Sequence, residues 1–220
     1  MDNSKWPAKV VLPIAMPGVK YVVAAILVTV MFFYLGCLKT GGLALLVTFF
    51  ITWFFRDPER MIPEDGDFLV SPADGKVIVV ERITRCEYMD GPCQKISIFM
   101  NVFNVHVNRI PFSGMIEKVQ YHPGKFVNAS FDKASVHNER NALVIRTDNG
   151  CRYVCVQIAG LIARRIVNCV KINEQVHKGD RYGMIQFGSR LDLYLPMGFE
   201  ILVNPGDKTS AGSSIIGRMC

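Results

Sequence analysis

The chain has no long block of lysines and arginines and no nucleic-acid-binding motif, although 25 Lys and Arg against 19 Asp and Glu give a net charge of +6. A basic balance without those features argues against DNA or RNA as a partner and fits an anionic membrane surface. A regular cysteine frame is also missing. The seven cysteines stand at 37, 86, 93, 151, 155, 169 and 220. An odd number without repeated spacing argues against a disulfide scaffold. Cys151 and Cys155 fall on one face of an expected strand, too far apart to chelate one ion easily. They read as core and edge thiols in a reducing compartment, and no metal site is expected.

Charge is absent where hydrophobicity is concentrated, in the first quarter of the chain. Residues 19–38 form an apolar run whose one charge, Lys20, lies at its edge, about the length a helix needs to cross the hydrocarbon layer. Lys39-Thr40-Gly41-Gly42 reads as the break before a second, shorter apolar run over residues 43–55, which ends in Trp53-Phe54-Phe55 and Arg56. Aromatic rings followed by Arg mark a membrane interface. Lys5, Lys9 and Lys20 precede the first run, Arg56 and Arg60 follow the second, and Lys39 alone lies between. That bias places both ends, and the domain beyond them, on the cytoplasmic side of the cell membrane. No small-x-small site follows the first run, so it is read as a retained segment rather than a signal peptide. Whether the hairpin spans or re-enters stays open. The expected division is a hydrophobic hairpin over residues 1–56 and a β-rich domain over residues 57–220.

Beyond residue 68 helical periodicity is scarce. Short β-rich runs at 68–70, 76–81, 95–99, 115–119, 142–146 and 153–157 are punctuated by Asp74-Gly75, Pro123-Gly124 and Asn149-Gly150, which predicts a mainly β barrel or sandwich with minor helix. One short helix is expected within 161–170. Val176-x-x-Gly179-Asp180 recurs 27 residues on as Val203-x-x-Gly206-Asp207, two copies of a strand, a tight turn and a strand. Paired turns of this kind occur in lipoyl and biotinyl barrels. The exposed hairpin lysine of a carrier is missing; Lys208 after Asp207 reads as a turn residue.

A Gly-Ser pair at 188–189 carries chemistry of its own. A serine hydroxyl can attack the preceding carbonyl only where the backbone permits a strained approach, and Gly at that carbonyl minimises the obstacle. The amide becomes an ester, loss of the serine α-proton eliminates the upstream carboxylate to leave dehydroalanine, and its hydrolysis by water releases ammonia and leaves a pyruvoyl group. A nearby base is needed, the usual task of His near neutral pH, with a carboxylate to orient it. No Gly-x-Ser-x-Gly elbow surrounds Ser189, which argues against a hydrolase nucleophile.

Five pieces stand in order: Phe54-Phe-Arg-Asp-Pro-Glu-Arg60, Ser71-Pro-Ala-Asp74-Gly75-Lys76, Asn104-Val-His106-Val-Asn-Arg-Ile-Pro111, Ala159-Gly-Leu-Ile-Ala-Arg164-Arg165-Ile, and Phe187-Gly188-Ser189-Arg190-Leu-Asp-Leu-Tyr-Leu-Pro196. Asn138-Glu139-Arg140 fits as well. Over nearly its whole length the chain resembles the short, archaeal-type phosphatidylserine decarboxylase proenzymes. The resemblance implies cleavage at Gly188-Ser189 into a β chain, residues 1–188, and an α chain, residues 189–220, which stay together as a heterodimer, higher assembly being open. It implies Ser189 as the pyruvoyl precursor, His106 as base and Asp74 as its orienter. Pyruvate is then the cofactor, without PLP or metal. Phosphatidylserine would be converted to phosphatidylethanolamine through a Schiff base, the ketone serving as the electron sink that PLP supplies elsewhere, and the hairpin would bring the site to the lipid.

Taken singly, these residues have plainer readings: Asp74-Gly75 as a turn, His106 as a core histidine. Arg164, Arg165 and Arg190 are candidates for the lipid's phosphate or carboxylate by charge type, against a solvated basic face for the Arg pair. Long-form relatives carry a second histidine where this chain has Arg109, so His106 serves both self-cleavage and protonation or shares them with His122 or His137. Those two and His177 read as surface residues. Gly212-Ser213 is a second Gly-Ser pair, but cutting there would leave eight residues, too little for one edge strand to retain, whereas the 32 residues from Ser189 supply several strands. Two other readings remain: an uncut, membrane-anchored barrel module, and a pyruvoyl decarboxylase for a soluble amino acid.

Overall fold

The computed structural model describes residues 13–64, 66–124, 138–160, 165–186 and 189–219. Two compact units separate, Lys9–Glu59 and, apart from the first eight residues, Arg60–Cys220.

The first unit is a pair of helices, α1 (Met16–Tyr34) and α2 (Leu38–Phe54). Pro17 opens α1, where a missing N–H costs nothing. The 19 residues of α1 span roughly 28 Å, long and apolar enough to cross a membrane. Leu27, Val30, Leu46, Phe49 and Trp53 are exposed. The break comes earlier than the expected Lys39-Thr40-Gly41-Gly42, which lies inside α2. Gly36, at φ 74°, makes the turn, while Gly41 lets the Phe33 ring approach its backbone. Thr29 and Thr48 meet between the helices through their hydroxyls at 2.9 Å. The open end is tied by Ala15 N–H donating to the Phe55 carbonyl (2.7 Å) and Asp57 N–H to that of Pro13 (2.8 Å).

Among the described residues the regular elements of the second unit are strands: β1 (Phe68–Val70), β2 (Gly75–Ile83), β3 (Cys93–Met100), β4 (Val107–Arg109), β5 (Gly114–His122), β6 (Arg140–Arg146), β7 (Arg152–Ala159), β8 (Ile166–Asn168), β9 (Gln175–Val176), β10 (Arg181–Ile185), β11 (Ser189–Pro196), β12 (Phe199–Ile201), β13 (Lys208–Thr209) and β14 (Ile215–Met219). An eight-stranded antiparallel sheet runs β13-β2-β3-β11-β7-β6-β5-β9, joined by two three-stranded sheets, β4-β10-β8 and β1-β14-β12. The mainly β architecture and the apolar helical hairpin match the sequence expectations.

The strands alternate as a two-faced sheet requires. Leu191, Leu193 and Leu195 enter the main core with Ile96, Ile98 and Tyr153, while Tyr194 faces a second cluster with Val154, Val156 and Cys93. Six of the cysteines are free thiols, and burial pushes that of Cys93 up to about 12.

The repeated turns share one geometry. Gly179 (φ 87°) and Gly206 (φ 109°) occupy the left-handed region, and Asp180 and Asp207 accept the backbone N–H of His177 (2.7 Å) and Asn204 (2.8 Å). The helix expected within 161–170 is not what residues 166–168 form; they are β8, paired with Ile185, Met184 and Gly183 of β10. Residues 161–164 lie outside the described residues. The last strand, β14, is the centre of its sheet rather than an edge.

Candidate active site

Ser189 is the first residue of β11 and is fully buried. Its cross-strand neighbours are Met100 of β3 and Ala159 of β7. The serine hydroxyl donates to the Met100 thioether at 3.8 Å, a weak bond to a soft acceptor. Gly188 and Arg164 lie outside the described residues.

His106 precedes β4 and is fully buried. Its carbonyl receives the Ile185 N–H at 3.4 Å, extending the β4–β10 ladder to within four residues of Ser189. Imidazole Nδ1 lies 3.0 Å from the Asn104 carbonyl. A carbonyl only accepts, so Nδ1 carries the proton and a neutral ring keeps its basic lone pair on Nε2. The Asn104 loop is set by its own side chains: Asn104 Oδ1 accepts the Asn101 N–H and Asn101 Oδ1 that of Phe103, both at 2.9 Å.

Asp74 is placed differently from expectation. Its carboxylate accepts Arg60 Nη2 at 2.8 and 3.1 Å and the Ala211 N–H at 2.7 Å. It makes no hydrogen bond to His106, whose ring is oriented by Asn104 instead. Nor is Asp74-Gly75 a hairpin turn. Gly75 opens β2, and a Cβ there would collide with the Phe99 carbonyl, so the glycine permits close approach of β2 to β3, one strand away from Ser189.

Arg190 is fully buried, with Nε on Asp192 Oδ1 at 2.6 Å and Nη2 on Asp192 Oδ2 and Ser97 Oγ, each at 3.0 Å. A guanidinium sealed in that pair is not presented to a ligand. Arg165 is exposed. Arg109 is buried and donates to the Gly179 carbonyl at 3.0 Å. His122 is half-buried at the end of β5 and His177 is exposed beside Asp180; His137 lies outside the described residues. Among the described residues, no three His, Cys, Asp or Glu side chains are grouped to hold a metal ion.

Three fully or nearly fully buried amides escaped the sequence reading. Gln157 Nε2 donates to Asn108 Oδ1 at 2.8 Å, Asn141 Nδ2 to Gln157 Oε1 at 3.2 Å, and Asn108 Nδ2 reaches the Met100 sulfur at 3.8 Å. Two signals were available. Asn108 sits two residues after His106, and Gln157 continues the core-facing alternation of Tyr153 and Cys155.

The family model for phosphatidylserine decarboxylase matches residues 47–217. The chain belongs to the phosphatidylserine decarboxylase family. That family is one of carbon–carbon lyases, and its members include close relatives carrying the name phosphatidylserine decarboxylase proenzyme. One from Syntrophus aciditrophicus is 49% identical over 93% of this chain and 96% of its own length. One from Desulfotalea psychrophila is 45% identical over 94% and 97%, and one from Ralstonia nicotianae 50% identical over 79% and 80%.

Proposed function

We propose that the chain decarboxylates phosphatidylserine to phosphatidylethanolamine, using a pyruvoyl group that it makes from Ser189 by cutting itself after Gly188. The observation that carries this reading is the burial of Ser189 and His106 in strands that are linked just upstream of the serine. A fully buried serine opens a central strand, and four residues upstream the same chain is hydrogen-bonded to the backbone of a buried histidine.

The surroundings suit the group. Met100 and Ala159 flank Ser189 with neutral side chains, and β11 is paired on both sides, so a new terminus at residue 189 would stay in register. The pyruvoyl group supplies a ketone that takes up the substrate amine and accepts the electrons left when CO2 departs.

His106 serves as the base. Nδ1 donation to Asn104 leaves Nε2 to take the serine proton and later to return one. Asp74 belongs to the site by holding Arg60 and the 210–214 turn against the start of β2, a positioning role in place of direct orientation of the imidazole. Arg165, with Arg164, is assigned to the anionic headgroup. Arg190 is assigned to holding β11.

The two products would remain together as a heterodimer. Within residues 189–220, β11 pairs with β3 and β7, β13 with β2, and β14 with β1. Helix α1 would anchor the chain in the membrane with α2 beside it, and the Lys and Arg flanking the hairpin favour the cytoplasmic side for the catalytic unit.

Intact-mass spectrometry of purified protein tests the proposal. The expected result is a fragment of residues 189–220 that begins with a pyruvoyl group in place of serine. A single uncut mass in protein given time to mature would defeat it and favour a non-catalytic barrel module.

A further inference from the structure

Buried neutral amides are costly unless paired, yet this unit lines up three of them on the way to Ser189. Asn141 of β6 and Gln157 of β7 are register partners. Gln157 and Ala159 share a face of β7, and Ala159 is the partner of Ser189, so Gln157 and Ser189 project to the same side of the sheet. Asn108 comes from another sheet, on β4, two residues beyond His106. Gly183 of β10 leaves room for the relay, since a Cβ there would lie 3.0 Å from Gln157 Nε2.

The relay has a direction. Asn141 Nδ2 donates to Gln157 Oε1, which fixes Gln157 with its own NH2 toward Asn108; that NH2 occupies Asn108 Oδ1, which fixes Asn108 in turn. The last donor, Asn108 Nδ2, points away from Gln157. Its acceptors are the Pro72 carbonyl at 3.5 Å and the Met100 sulfur at 3.8 Å, both weak by distance or by element. Ser189 Oγ lies on that same sulfur, also at 3.8 Å. A fully buried donor of fixed orientation and the reacting hydroxyl thus share one thioether.

Resting on the proposed conversion of Ser189, we propose that Asn108 is a positioning residue for it: through the Met100 sulfur, the Asn141–Gln157–Asn108 relay holds the serine hydroxyl in the place from which it reacts. Asn108 does not exchange protons. It keeps Met100 from rotating, and through Met100 it sets where the hydroxyl sits.

The test is the rate at which newly made full-length chain cuts itself, followed by intact mass, in wild type, Asn108→Asp and Met100→Leu. Asn108→Asp keeps the shape and removes the donor while its carboxyl is ionised. Its rate relative to wild type should fall about tenfold at about pH 8 and recover toward about pH 5.5, where a protonated carboxyl donates again. The titratable and charged groups around the new carboxyl are His106 just before β4, Arg109 beside it in β4, Tyr182 on the paired strand β10, and the Asp74–Arg60 pair, two residues along from Pro72. Taking the ratio to wild type at each pH cancels their shared contribution. Met100→Leu, a volume-conserving exchange that the core tolerates, should slow cutting several-fold with a ratio that does not change with pH.

A wild-type rate in either folded variant overturns the relay, as does a slow Asn108→Asp whose ratio is flat across pH, which would mark a purely structural defect. If Asn108→Asp does not fold, Met100→Leu decides alone. Wild-type chain that never cuts at Ser189 overturns the proposed function and the relay together; wild-type chain that cuts, beside variants that cut equally well, removes only the relay.

Discussion

Asn replacing Asp192 should cost this fold more than any surface change. The carboxylate and the Arg190 guanidinium are both fully buried and bonded twice, with Ser97 taking a further N–H. With Asp192 neutralised, the cation stays in the core without its counter-charge, a situation that costs about 3–5 kcal/mol. Against a total stability of about 5–15 kcal/mol, that is a large share. For a unit of this size about 2–4 °C of melting temperature goes with each kcal/mol, so the midpoint should fall by about 10 °C. Thermal and urea unfolding in detergent should be run in a Ser189→Ala background, so that one uncut chain is measured. Arg190→Met with Asp192→Leu is the informative partner. Replacing a buried pair by apolar groups is often neutral or stabilising, so the double variant should lie within about 1 kcal/mol of the parent or above it. A single Asp192→Asn that loses less than about 1 kcal/mol would refute the reasoning and mean that the pair is hydrated.

Replacing His106 by Ala should slow self-cutting by about 10²–10⁴, the usual span of a general base; intact mass against time reads it, and a wild-type rate would remove His106 from the mechanism. Gly75→Ala should destabilise the unit by about 2 kcal/mol or more, because its Cβ meets the Phe99 backbone carbonyl rather than a movable side chain; an unchanged melting temperature would contradict the close approach of β2 to β3. Arg60→Ala removes the cation on Asp74, and with both side chains partly exposed, at 18% and 12%, the stability loss should stay near 1 kcal/mol. Its larger effect is expected on maturation, as Asp74 and the Ala211 turn loosen, and a wild-type cutting rate would dissociate Asp74 from the site.

What could be read from the chain alone was what local chemistry determines. The Val-x-x-Gly-Asp repeats are legible because a left-handed glycine and an Asp accepting a backbone N–H three residues back need nothing from the rest of the fold. The helix break was misplaced because Gly41-Gly42 looks like a turn until the Phe33 ring is seen against Gly41. Residues 166–168 read as helix for want of their partner, β10, which arrives only through folding. The same limit hid the ion pair of Asp74. The resemblance gave Asp74 to the imidazole, and nothing in the spacing shows that Arg60 reaches it first. Ser189 and His106 were legible as residue types in recognisable settings; the amides between β6, β7 and β4 were not, since register alone brings Asn141 opposite Gln157 and Gln157 beneath Asn108.

The position of β11 between β3 and β7 dictates an order of events. That strand can be threaded into the middle of the sheet only while it is still continuous with β10, and the serine that opens it is buried only once the sheet has closed. Under the proposed conversion, a chain that fails to fold would keep an ordinary serine and would not acquire an electrophilic ketone. Activation by the proposed cut would double as an inspection of the fold, and it would happen once: copies unfolded after cutting would have to reassemble a central strand from a separate piece, so the cut protein's lifetime would be set by how slowly it first comes apart.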